Sequence, residues 1–386
     1  MKRLKNTLKM LFPWLPYRVK QLRGRDIAKN VFKTDYPRNA LMVYLTNPFF
    51  SAETMESHQN FWQMVEIAKE LKARGYNVDV IDYTNKYTRP KKQYDLLLNI
   101  QPTESMLFRE NLKPGAIKIA YLTVSNPSYG NAAEQKRLDA LQDRRGVSLK
   151  LRRDWPVFSK EIENYDAAFM IGNSFNYRSY TDEFKMPPVH YIRNNGYVFD
   201  FQTDYSKKDP KKFLFFASSG QVHKGLDLLL EVFSKENFPC ELYVCSLFQE
   251  ETDFLECYKK ELYETSNIHA IGFINIRAEE FRNLAETCTY AITPSCSEAR
   301  VGAMLTVMSA GLIPICSRDC GYDEDEAIQL EDCTLETIEK TVLEYSAKDH
   351  AWIVEQSQRA KQIVAQRYTQ QDYLNSLRYA LDQVIK

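Results

Sequence analysis

Short apolar runs alternate with polar segments along the first half of the chain. The runs that predict β-strands lie at residues 40–46, 77–82, 95–100, 117–122, 166–171 and 189–192. Between the first two runs, Phe61, Val65, Ala68 and Leu71 mark one face of a helix that ends at Gly75. Strands that alternate with helical segments predict a mainly parallel α/β sheet.

The second half repeats this pattern after a polar passage at residues 201–212. Its predicted strands lie at residues 213–216, 241–245, 268–271, 290–293, 313–316 and 327–330. Residues 352–365 and 370–385 predict two helices with no strand between them. We interpret the polar passage as a domain boundary and predict two Rossmann-like, doubly wound α/β domains, at residues 1–205 and 206–386. Such domains, facing each other, bring the carboxyl ends of their strands to a shared ligand-binding cleft.

The composition is that of an ordinary globular protein. Hydrophobic residues make up 44% of the 386 residues and charged residues 26%, which excludes wholesale disorder. The formal net charge of zero lacks the basic excess of a nucleic-acid-binding protein, so no nucleic-acid partner is expected. No apolar run reaches the roughly 18 residues that a membrane-spanning helix needs, so none is predicted.

The eight cysteines, all between Cys240 and Cys333, have two interpretations. They could form a metal or redox cluster, or they are small, buried, reduced thiols. The sequence has neither a CxxC pair nor the Cys/His spacing of a zinc site, which favours reduced thiols. We therefore predict a reducing, cytoplasmic compartment and no bound metal.

The N-terminal segment is basic and amphipathic. Residues 1–25 carry eight Lys or Arg side chains and no Asp or Glu, and Leu4, Leu8 and Leu11 lie on one helical face. A signal peptide would need a longer apolar stretch and a cleavage site. One interpretation is that residues 1–20 bind the anionic surface of the inner membrane face. The alternative is a solvated tail, or a helix packed on its own domain.

Two loops, each between a predicted strand and a predicted helix, carry the candidate chemistry. Residues 294–302 lead from one strand into a helix that reaches Gly311. Residues 218–225 follow the strand at 213–216, and Lys224 is the cation of that loop. The unpaired amides and the positive dipole end of a helix N-terminus bind phosphate, so each loop predicts an anion site.

These loops belong to a set of motifs that resembles the large family of retaining, nucleotide-sugar-dependent glycosyltransferases with the GT-B fold, family 4 or group 1 in type. The resemblance rests on Lys224-Gly225 with Asp227-Leu228-Leu229, Ile271-Gly272-Phe273-Ile274, Pro294-Ser295 with Glu298, and Met308 with Gly311. It is greatest with bacterial enzymes of the surface-polysaccharide type. It implies two Rossmann-like domains across a cleft, the first for the acceptor and the second for the donor.

The resemblance assigns catalytic roles to Lys224 and Glu298. Lys224 would contact the donor diphosphate and stabilise the charge that develops as the nucleotide leaves. The alternative for Lys224 is a solvent-facing lysine in a first helical turn. Glu298 would accept hydrogen bonds from hydroxyls of the donor sugar, because an ionised carboxylate can only accept. The alternative for Glu298 is a carboxylate that satisfies helix amides.

The same resemblance implies a donor-binding set with two departures from the family pattern. The implied donor-binding residues are Ser219, Gly220, Ile274, Arg300, Val301, Gly302 and Thr306. Thr306 stands where the family has a glutamate that binds ribose, and Ser219 stands where it has an arginine. Loss of a charged hydrogen bond to ribose costs about 1.5–3 kcal/mol unless another group replaces it. Arg300 is a candidate for the missing positive charge, and an exposed surface arginine is the alternative.

The acceptor side departs further from the family. Residues 45–50 lack the glycine-rich loop that the family has after its first strand. Ser125 stands near the position of a family histidine, and it shares a polar run with Asn126 and Asn131. These three residues are expected to contact the acceptor or the donor sugar, since loops after α/β strands often bind ligands. A turn followed by a capped helix is the alternative.

The resemblance therefore implies a retaining hexosyltransferase that needs no metal or other cofactor. It would move a sugar from a nucleotide-diphosphate donor to a glycan or lipid-linked acceptor in cell-surface polysaccharide synthesis. One alternative is a non-catalytic nucleotide-sugar-binding or assembly subunit, which the changes at Ser219 and Thr306 favour. Another is a sugar-nucleotide epimerase of related architecture. The sequence has no GxxxxGK[ST], no GxGxxG after a strand and no HExxH, which disfavours kinases, dehydrogenases and zinc hydrolases.

Overall fold

The computed structural model describes Val19, Leu22 and residues 24–51, 59–85, 88–100, 102, 109–199 and 201–386. Within these ranges the chain forms two β-sheets with helices packed on them. The amphipathic segment predicted at residues 1–20 lies outside these ranges, apart from Val19. Among the helices that the structure describes, none is both long and apolar enough to cross a bilayer.

The first sheet has seven strands and forms the centre of the first lobe. They are β1 (Ile27–Ala28), β2 (Arg38–Tyr44), β3 (Tyr76–Asp82), β4 (Tyr94–Asn99), β5 (Leu112–Leu122), β6 (Ala167–Met170) and β7 (Val189–Tyr191). Their order is β1-β3-β2-β4-β5-β6-β7, and β1 is antiparallel to β3 while the other neighbours are parallel. Met42 of β2 is in register with Val80 of β3 and Leu98 of β4, so apolar side chains meet across the sheet. The six predicted strands are confirmed; β1 is too short to show a period in the sequence.

Three helices follow strands of the first sheet. They are α1 (Gln59–Ala73), α2 (Pro127–Arg145) and α3 (Ser174–Thr181). The predicted helix is confirmed as α1, which buries Met64, Ile67 and Leu71 in the same apolar cluster as β2 and β3.

The second sheet has six parallel strands and forms the centre of the second lobe. They are β8 (Asp209–Phe216), β9 (Glu241–Cys245), β10 (Ile268–Ala270), β11 (Cys288–Thr293), β12 (Ile313–Cys316) and β13 (Ile328–Gln329). All six match predicted strands. Their order, β10-β9-β8-β11-β12-β13, is the 3-2-1-4-5-6 order of a Rossmann fold.

In addition to short 3-10 helices, nine more α-helices follow in the described chain. They are α4 (Gln221–Lys224), α5 (Leu226–Phe233), α6 (Thr252–Cys257), α7 (Lys259–Glu264), α8 (Glu279–Thr287), α9 (Gly302–Ser309), α10 (Leu335–Ser346), α11 (His350–Arg367) and α12 (Gln370–Val384). The two predicted C-terminal helices are confirmed as α11 and α12.

Two helices each pack against the opposite lobe: α2, which follows a strand of the first sheet, and α12, at the end of the second half of the chain. Leu138 and Leu141 of α2 lie in the apolar core that surrounds β8 and β9 of the second lobe. Tyr373 and Leu377 of α12 lie in the core of the first lobe, where the Tyr373 hydroxyl is 3.1 Å from that of Tyr121. The chain thus crosses between the lobes more than once, and the domain limits 1–205 and 206–386 stay a prediction.

Ion pairs also hold α2 to the second lobe. Arg144 donates to Asp227 and to Glu231, each at 2.9 Å, and Arg145 pairs with Glu261 at 2.6 Å. α2 directly follows β5 of the first sheet and contacts both candidate loops, through Glu134 with His223 and through Arg137 with the carbonyl oxygen of Pro294.

Candidate functional site

The switch point of the second sheet lies between β8 and β11, the two adjacent strands from which the strand order runs in opposite directions. Phe213 of β8 is in register with Tyr290 of β11. Both loops that the sequence marks as anion sites begin at the carboxyl ends of these two strands. Open α/β sheets bind their ligands at this place, so the two loops form the candidate site.

Two glycines give the first loop its shape. Gly220 (φ 86°) and Gly225 (φ 80°) are left-handed and flank the single turn of α4. A Cβ at Gly225 would lie 2.5 Å from the carbonyl oxygen of Pro294, so only glycine lets the two loops touch here. This contact places Lys224 beside the loop that follows β11.

An ion pair joins the two residues for which the resemblance implies catalytic roles. Lys224 Nζ donates to Glu298 Oε1, and the two side chains are 8% and 13% exposed. His223 Nε2 lies 3.4 Å from the same oxygen. Burial alone raises the pKa of Glu298, but the positive charges of Lys224, His223 and Arg153 outweigh burial and hold that pKa well below its usual value. The Glu298 carboxylate is therefore ionised and accepts hydrogen bonds only.

His223 and Glu134 belong to the same cluster, although no spacing in the sequence marks their contact. His223 Nδ1 lies 3.2 Å from Glu134 Oε2 of α2 and 3.7 Å from Cys296 Sγ. Burial alone lowers the pKa of His223, but its contacts with Cys296, Glu134 and Glu298 raise that pKa well above the usual value. The imidazole is therefore a second cation beside Lys224.

The amides of the first loop are occupied by a side chain of the protein. Gly220 N donates to Glu251 Oε1 at 2.5 Å, and Gln221 N donates to Glu251 Oε2 at 3.2 Å. Arg152 Nε lies 3.6 Å from the same carboxylate. The loop thus holds an anion, but Glu251 provides it, and Ser219 is exposed at the edge of the loop.

The start of α9 is closely packed as well. Val301 N donates to the carbonyl oxygen of Cys320 at 3.1 Å, and no side chain caps the helix. The carboxamide of Gln59, from α1, lies against Gly302, where any Cβ would overlap it. Gln59 Nε2 donates to the carbonyl oxygen of Asn195 at 2.5 Å. The missing side chain at Gly302 therefore lets α1 approach the start of α9.

Arg300 is part of a buried cluster inside the second lobe. Its side chain is 7% exposed, and Nη1 donates to Glu326 Oε2 at 2.5 Å and to the Tyr368 hydroxyl. The guanidinium carbon lies 5.2 Å from the ring centre of Tyr322 and 4.9 Å from that of Tyr368. In this structure Arg300 has a structural role, and a phosphate contact would require it to leave Glu326.

Two further residues of the predicted donor-binding set are buried in the second lobe. Thr306 Oγ1 donates to the carbonyl oxygen of Gly302 at 3.1 Å, one turn earlier in α9. Ile274 packs in an apolar cluster with Met304 and Leu305 of the same helix. The contact of Thr306 with ribose and that of Ile274 with the base stay predictions.

One of the three predicted sugar-binding residues is brought to Glu298. Ser125 N donates to the carbonyl oxygen of Glu298 at 3.0 Å. The Asn126 side chain accepts a hydrogen bond from an amide in the first turn of α2 and caps that helix. Asn131 exchanges two hydrogen bonds with the backbone of Trp155, at 2.9 and 3.1 Å. Asn126 thus has the capping role that was the alternative interpretation, while Asn131 lies within α2 and holds the segment at Trp155.

The cysteines lie apart from any metal arrangement. All eight are unpaired, and six of them are buried. Across the described residues, no group of three or more His, Cys, Asp or Glu side chains is arranged to hold a metal ion. Burial raises the pKa of Cys245 and Cys288 to about 12, so these thiols stay protonated near neutral pH.

Known structures share this architecture. WaaG, a glycosyltransferase involved in lipopolysaccharide biosynthesis, matches with a TM-score of 0.54 and 14% identity, over 90% of this chain and 99% of that chain. The sucrose-phosphate synthase of Thermosynechococcus elongatus matches with a TM-score of 0.60 and 12% identity, over 90% and 99%. TarM matches with a TM-score of 0.52 and 12% identity, over 75% of this chain, which spans only 55% of TarM. The fold is GT-B.

This finding confirms the predicted fold class of two Rossmann-like α/β units. No family model matches the sequence, and no curated protein matches it either. At identities of 12–14% the likeness is one of fold, so the activity must be argued from the site itself.

Proposed function

We propose that this protein transfers a sugar from a nucleotide-diphosphate donor. The observation that carries the proposal is the buried Lys224–Glu298 pair, which lies at the switch point of the second sheet. A lysine and an ionised carboxylate in this place provide a cation for the leaving diphosphate and an acceptor for sugar hydroxyls. The structural neighbours support this class of donor, because WaaG is a glycosyltransferase and a TarM variant crystallised with UDP.

We further propose transfer with retention of the anomeric configuration and without a metal. The cations of the site are then Lys224 and His223, which oppose the charge that develops on the leaving phosphate. On donor binding, the Lys224 ammonium is shared between Glu298 and the phosphate. The acceptor hydroxyl attacks from the side of the leaving group and gives its proton to a phosphate oxygen, so no nucleophile of the protein takes part.

The proposed acceptor is a glycan or a lipid-linked glycan at the cytoplasmic face of the membrane, in the synthesis of a surface polysaccharide. The resemblance of the motifs to bacterial enzymes of this type supports the proposal, and so does the role of WaaG in lipopolysaccharide biosynthesis. Residues 1–20 would bind anionic lipid. Co-sedimentation with anionic liposomes tests this contact, and equal pelleting of the intact chain and of a chain without residues 1–20 would refute it.

The alternative is a subunit that binds a nucleotide sugar without turnover. It is favoured because groups that would bind the donor are already bonded to other groups of the protein. Glu298 neutralises Lys224, Glu251 occupies the amides of Gly220 and Gln221, and the Thr306 hydroxyl is bonded within α9.

A donor-hydrolysis assay with UDP- and GDP-sugars, together with calorimetry, separates the two functions. We expect the Lys224→Ala variant to lower kcat about 100- to 1000-fold, the range for loss of one group that stabilises transition-state charge. Lys235→Ala is the matched control, because that lysine is 42% exposed and pairs with Glu339 at the surface. Binding without turnover at every acceptor would favour the subunit, and no binding of any sugar nucleotide would exclude both functions.

A further inference from the structure

Two adjacent arginines in the segment after α2 have opposite surroundings. Arg152 donates to Asp253, and its Nε lies 3.6 Å from Glu251. Arg153 Nε is buried without a hydrogen-bond partner, and no side chain in the described part of the protein pairs with its guanidinium. A buried donor left without a partner costs about 1–3 kcal/mol, so native proteins seldom leave one unsatisfied.

The other arginines near this segment all have partners. Arg137 donates to the carbonyl oxygen of Pro294, Arg144 pairs with Asp227, and Arg145 pairs with Glu261. Arg153 is therefore the exception along the described stretch from α2 to residue 153, and its charge is available to a ligand.

The side chain of Arg153 lies on the first loop of the candidate site. A Cβ at Gly220 would be 3.3 Å from Arg153 Nε and 3.7 Å from its Cγ, so the side chain crosses the bare backbone of that glycine. The Lys224 amide donates to the carbonyl oxygen of Gly220 at 2.9 Å. Burial raises the pKa of Glu298, and the charges of Lys224, His223 and Arg153 lower it. The guanidinium thus adds a positive charge to the Lys224–Glu298 pair.

Glu134 fixes the backbone of this segment relative to the site. Its carboxylate accepts hydrogen bonds from Arg152 N at 2.8 Å and from Arg153 N at 3.0 Å. The same carboxylate lies 3.2 Å from His223 Nδ1. One buried glutamate therefore holds both the backbone of Arg153 and the imidazole beside Lys224, which orders the position of Arg153 before a ligand binds.

We infer that Arg153 binds the diphosphate of the donor across the first loop, where the neighbouring Ser219 has no charge to offer. The planar guanidinium can hold phosphate oxygens with two parallel hydrogen bonds, which a lysine cannot do. In the ligand-free protein Glu298 and Glu134 offset the charges of Lys224 and His223, so a guanidinium adds net positive charge for the diphosphate. This inference rests on the proposed function, because it names a residue that contacts the same donor.

Isothermal titration calorimetry with nucleoside diphosphates and monophosphates tests the inference. The probes are UDP, GDP, ADP and dTDP, each with its monophosphate. We expect Arg153→Ala to weaken binding of the preferred diphosphate about 10- to 150-fold, the range for a hydrogen bond to a charged group. The corresponding monophosphate is expected to lose much less, so the preference for diphosphate falls. A purely structural role of Arg153 would weaken both ligands equally.

Two further variants show whether weaker binding comes from loss of the Arg153 charge or from loss of the fold. Arg89→Ala removes an exposed arginine of the first lobe, which pairs with Glu110 at 3.5 Å, and we expect its diphosphate affinity to stay within about threefold of the wild type, since exposed charges outside the site change binding little. In Arg153→Ala, the added change Ser219→Arg places a guanidinium on the exposed residue next to Gly220. Recovery of at least tenfold in diphosphate affinity by this double variant supports a charge role for position 153.

The outcomes separate this inference from the proposed function. If the wild type binds a diphosphate and Arg153→Ala binds it equally well, the inference is wrong and the proposed function stands. Equal losses for diphosphate and monophosphate, with no recovery by Ser219→Arg, also overturn the inference. If the wild type binds none of the four diphosphates, the proposed function fails and the inference fails with it.

Discussion

Arg153 and Arg300 are both candidate cations for the donor phosphate, but their surroundings differ. Arg300 lies in the loop before α9, is 7% exposed, and bonds to Glu326 and Tyr368 between two aromatic rings. Arg153 lies in an irregular segment after α2, and its Nε has no partner among the described residues. Arg300, which lies within the motif at residues 294–302, thus pairs inside the protein. Arg153, which lies outside every motif, has a charge that a ligand can bind.

This contrast shows that position in a motif does not decide what a charged side chain does. A guanidinium bonded to a buried carboxylate cannot be removed alone without loss of stability, because its removal leaves a buried charge poorly compensated. A guanidinium without such a carboxylate adds little to stability, and its charge acts on whatever enters the site. The comparison makes opposite predictions for the two residues, which stability and binding measurements can separate.

The largest expected effect is on stability, from Arg300→Met. The substitution removes the nearer ion-pair partner of the Glu326 carboxylate, which is 3% exposed and keeps only Arg367, at 3.6 Å. We expect the free energy of unfolding to fall by about 3 kcal/mol, the lower end of the range for breaking a buried pair by removing one member, because Arg367 stays near Glu326. Equilibrium unfolding in urea measures this change. A loss below about 1 kcal/mol would show that the pair is not the reason why Arg300 is buried.

The double variant Arg300→Met with Glu326→Leu is the control for this prediction. When both charges are replaced by apolar side chains of similar volume, the net effect is often close to neutral. We therefore expect the double variant to recover most of the stability lost in Arg300→Met. A double variant as unstable as the single one would assign the loss to packing against Tyr322 and Tyr368 rather than to charge.

A smaller effect is expected from acid, through the cluster that contains Arg153. Burial alone would raise the pKa of Glu298, but Lys224, His223 and Arg153 lower it. A carboxylate whose native pKa is depressed stabilises the fold above its unfolded pKa of about 4.3, and this stabilisation is lost as pH falls through the native pKa. The stability of the wild type should therefore decrease below about pH 4.3, and a paired carboxylate of this kind contributes about 2–3 kcal/mol.

Glu298→Gln tests the source of this acid dependence. The variant has no carboxylate to protonate, so its free energy of unfolding should change less between about pH 5 and pH 2 than that of the wild type. Glu134 contributes in the same direction, because burial alone raises its pKa while His223 and the amides of Arg152 and Arg153 lower it. If Glu298→Gln and the wild type lose stability in parallel, Glu298 is not linked to folding in this way.

The regular part of the fold could be predicted from the sequence because local periods determine it. Apolar runs such as 241–245 and 313–316 coincide with strands β9 and β12, and the loops after β8 and β11 carry the predicted Lys224 and Glu298. Patterns of this kind depend on near neighbours in the chain and on the alternation of strands and helices.

The crossing of α2 could not be predicted in this way. Its buried stripe consists of Pro127, Gly130, Glu134, Leu138 and Leu141, of which only the two leucines are large and apolar. In the sequence, a helical face with a glycine and a glutamate indicates a polar, solvent-facing surface. In the structure, Gly130 lets the loop with Ser297 approach, and Glu134 bonds to His223.

Which partner each charged side chain has also depends on contacts between distant parts of the chain. Glu251 occupies the amide of Gly220, which lies 31 positions away, and Arg300 meets Tyr368, which lies 68 positions away. No local spacing relates such residues. A single sequence therefore indicates which loops carry charge but leaves open which charges the protein neutralises itself.

The smallest expected effect on stability is that of Arg153→Met in the ligand-free protein. The variant loses no ion pair, removes a buried donor that has no partner, and keeps an apolar stem of similar length across Gly220. We expect the free energy of unfolding to change by about 0.5 kcal/mol or less. A nucleoside diphosphate at about 100 times its dissociation constant should stabilise the wild type by about 2.7 kcal/mol and the variant, at the same concentration, by clearly less. Thermal unfolding with and without the diphosphate measures both quantities. A ligand-free loss above about 2 kcal/mol would give Arg153 the structural role of Arg300 and remove the difference between the two arginines.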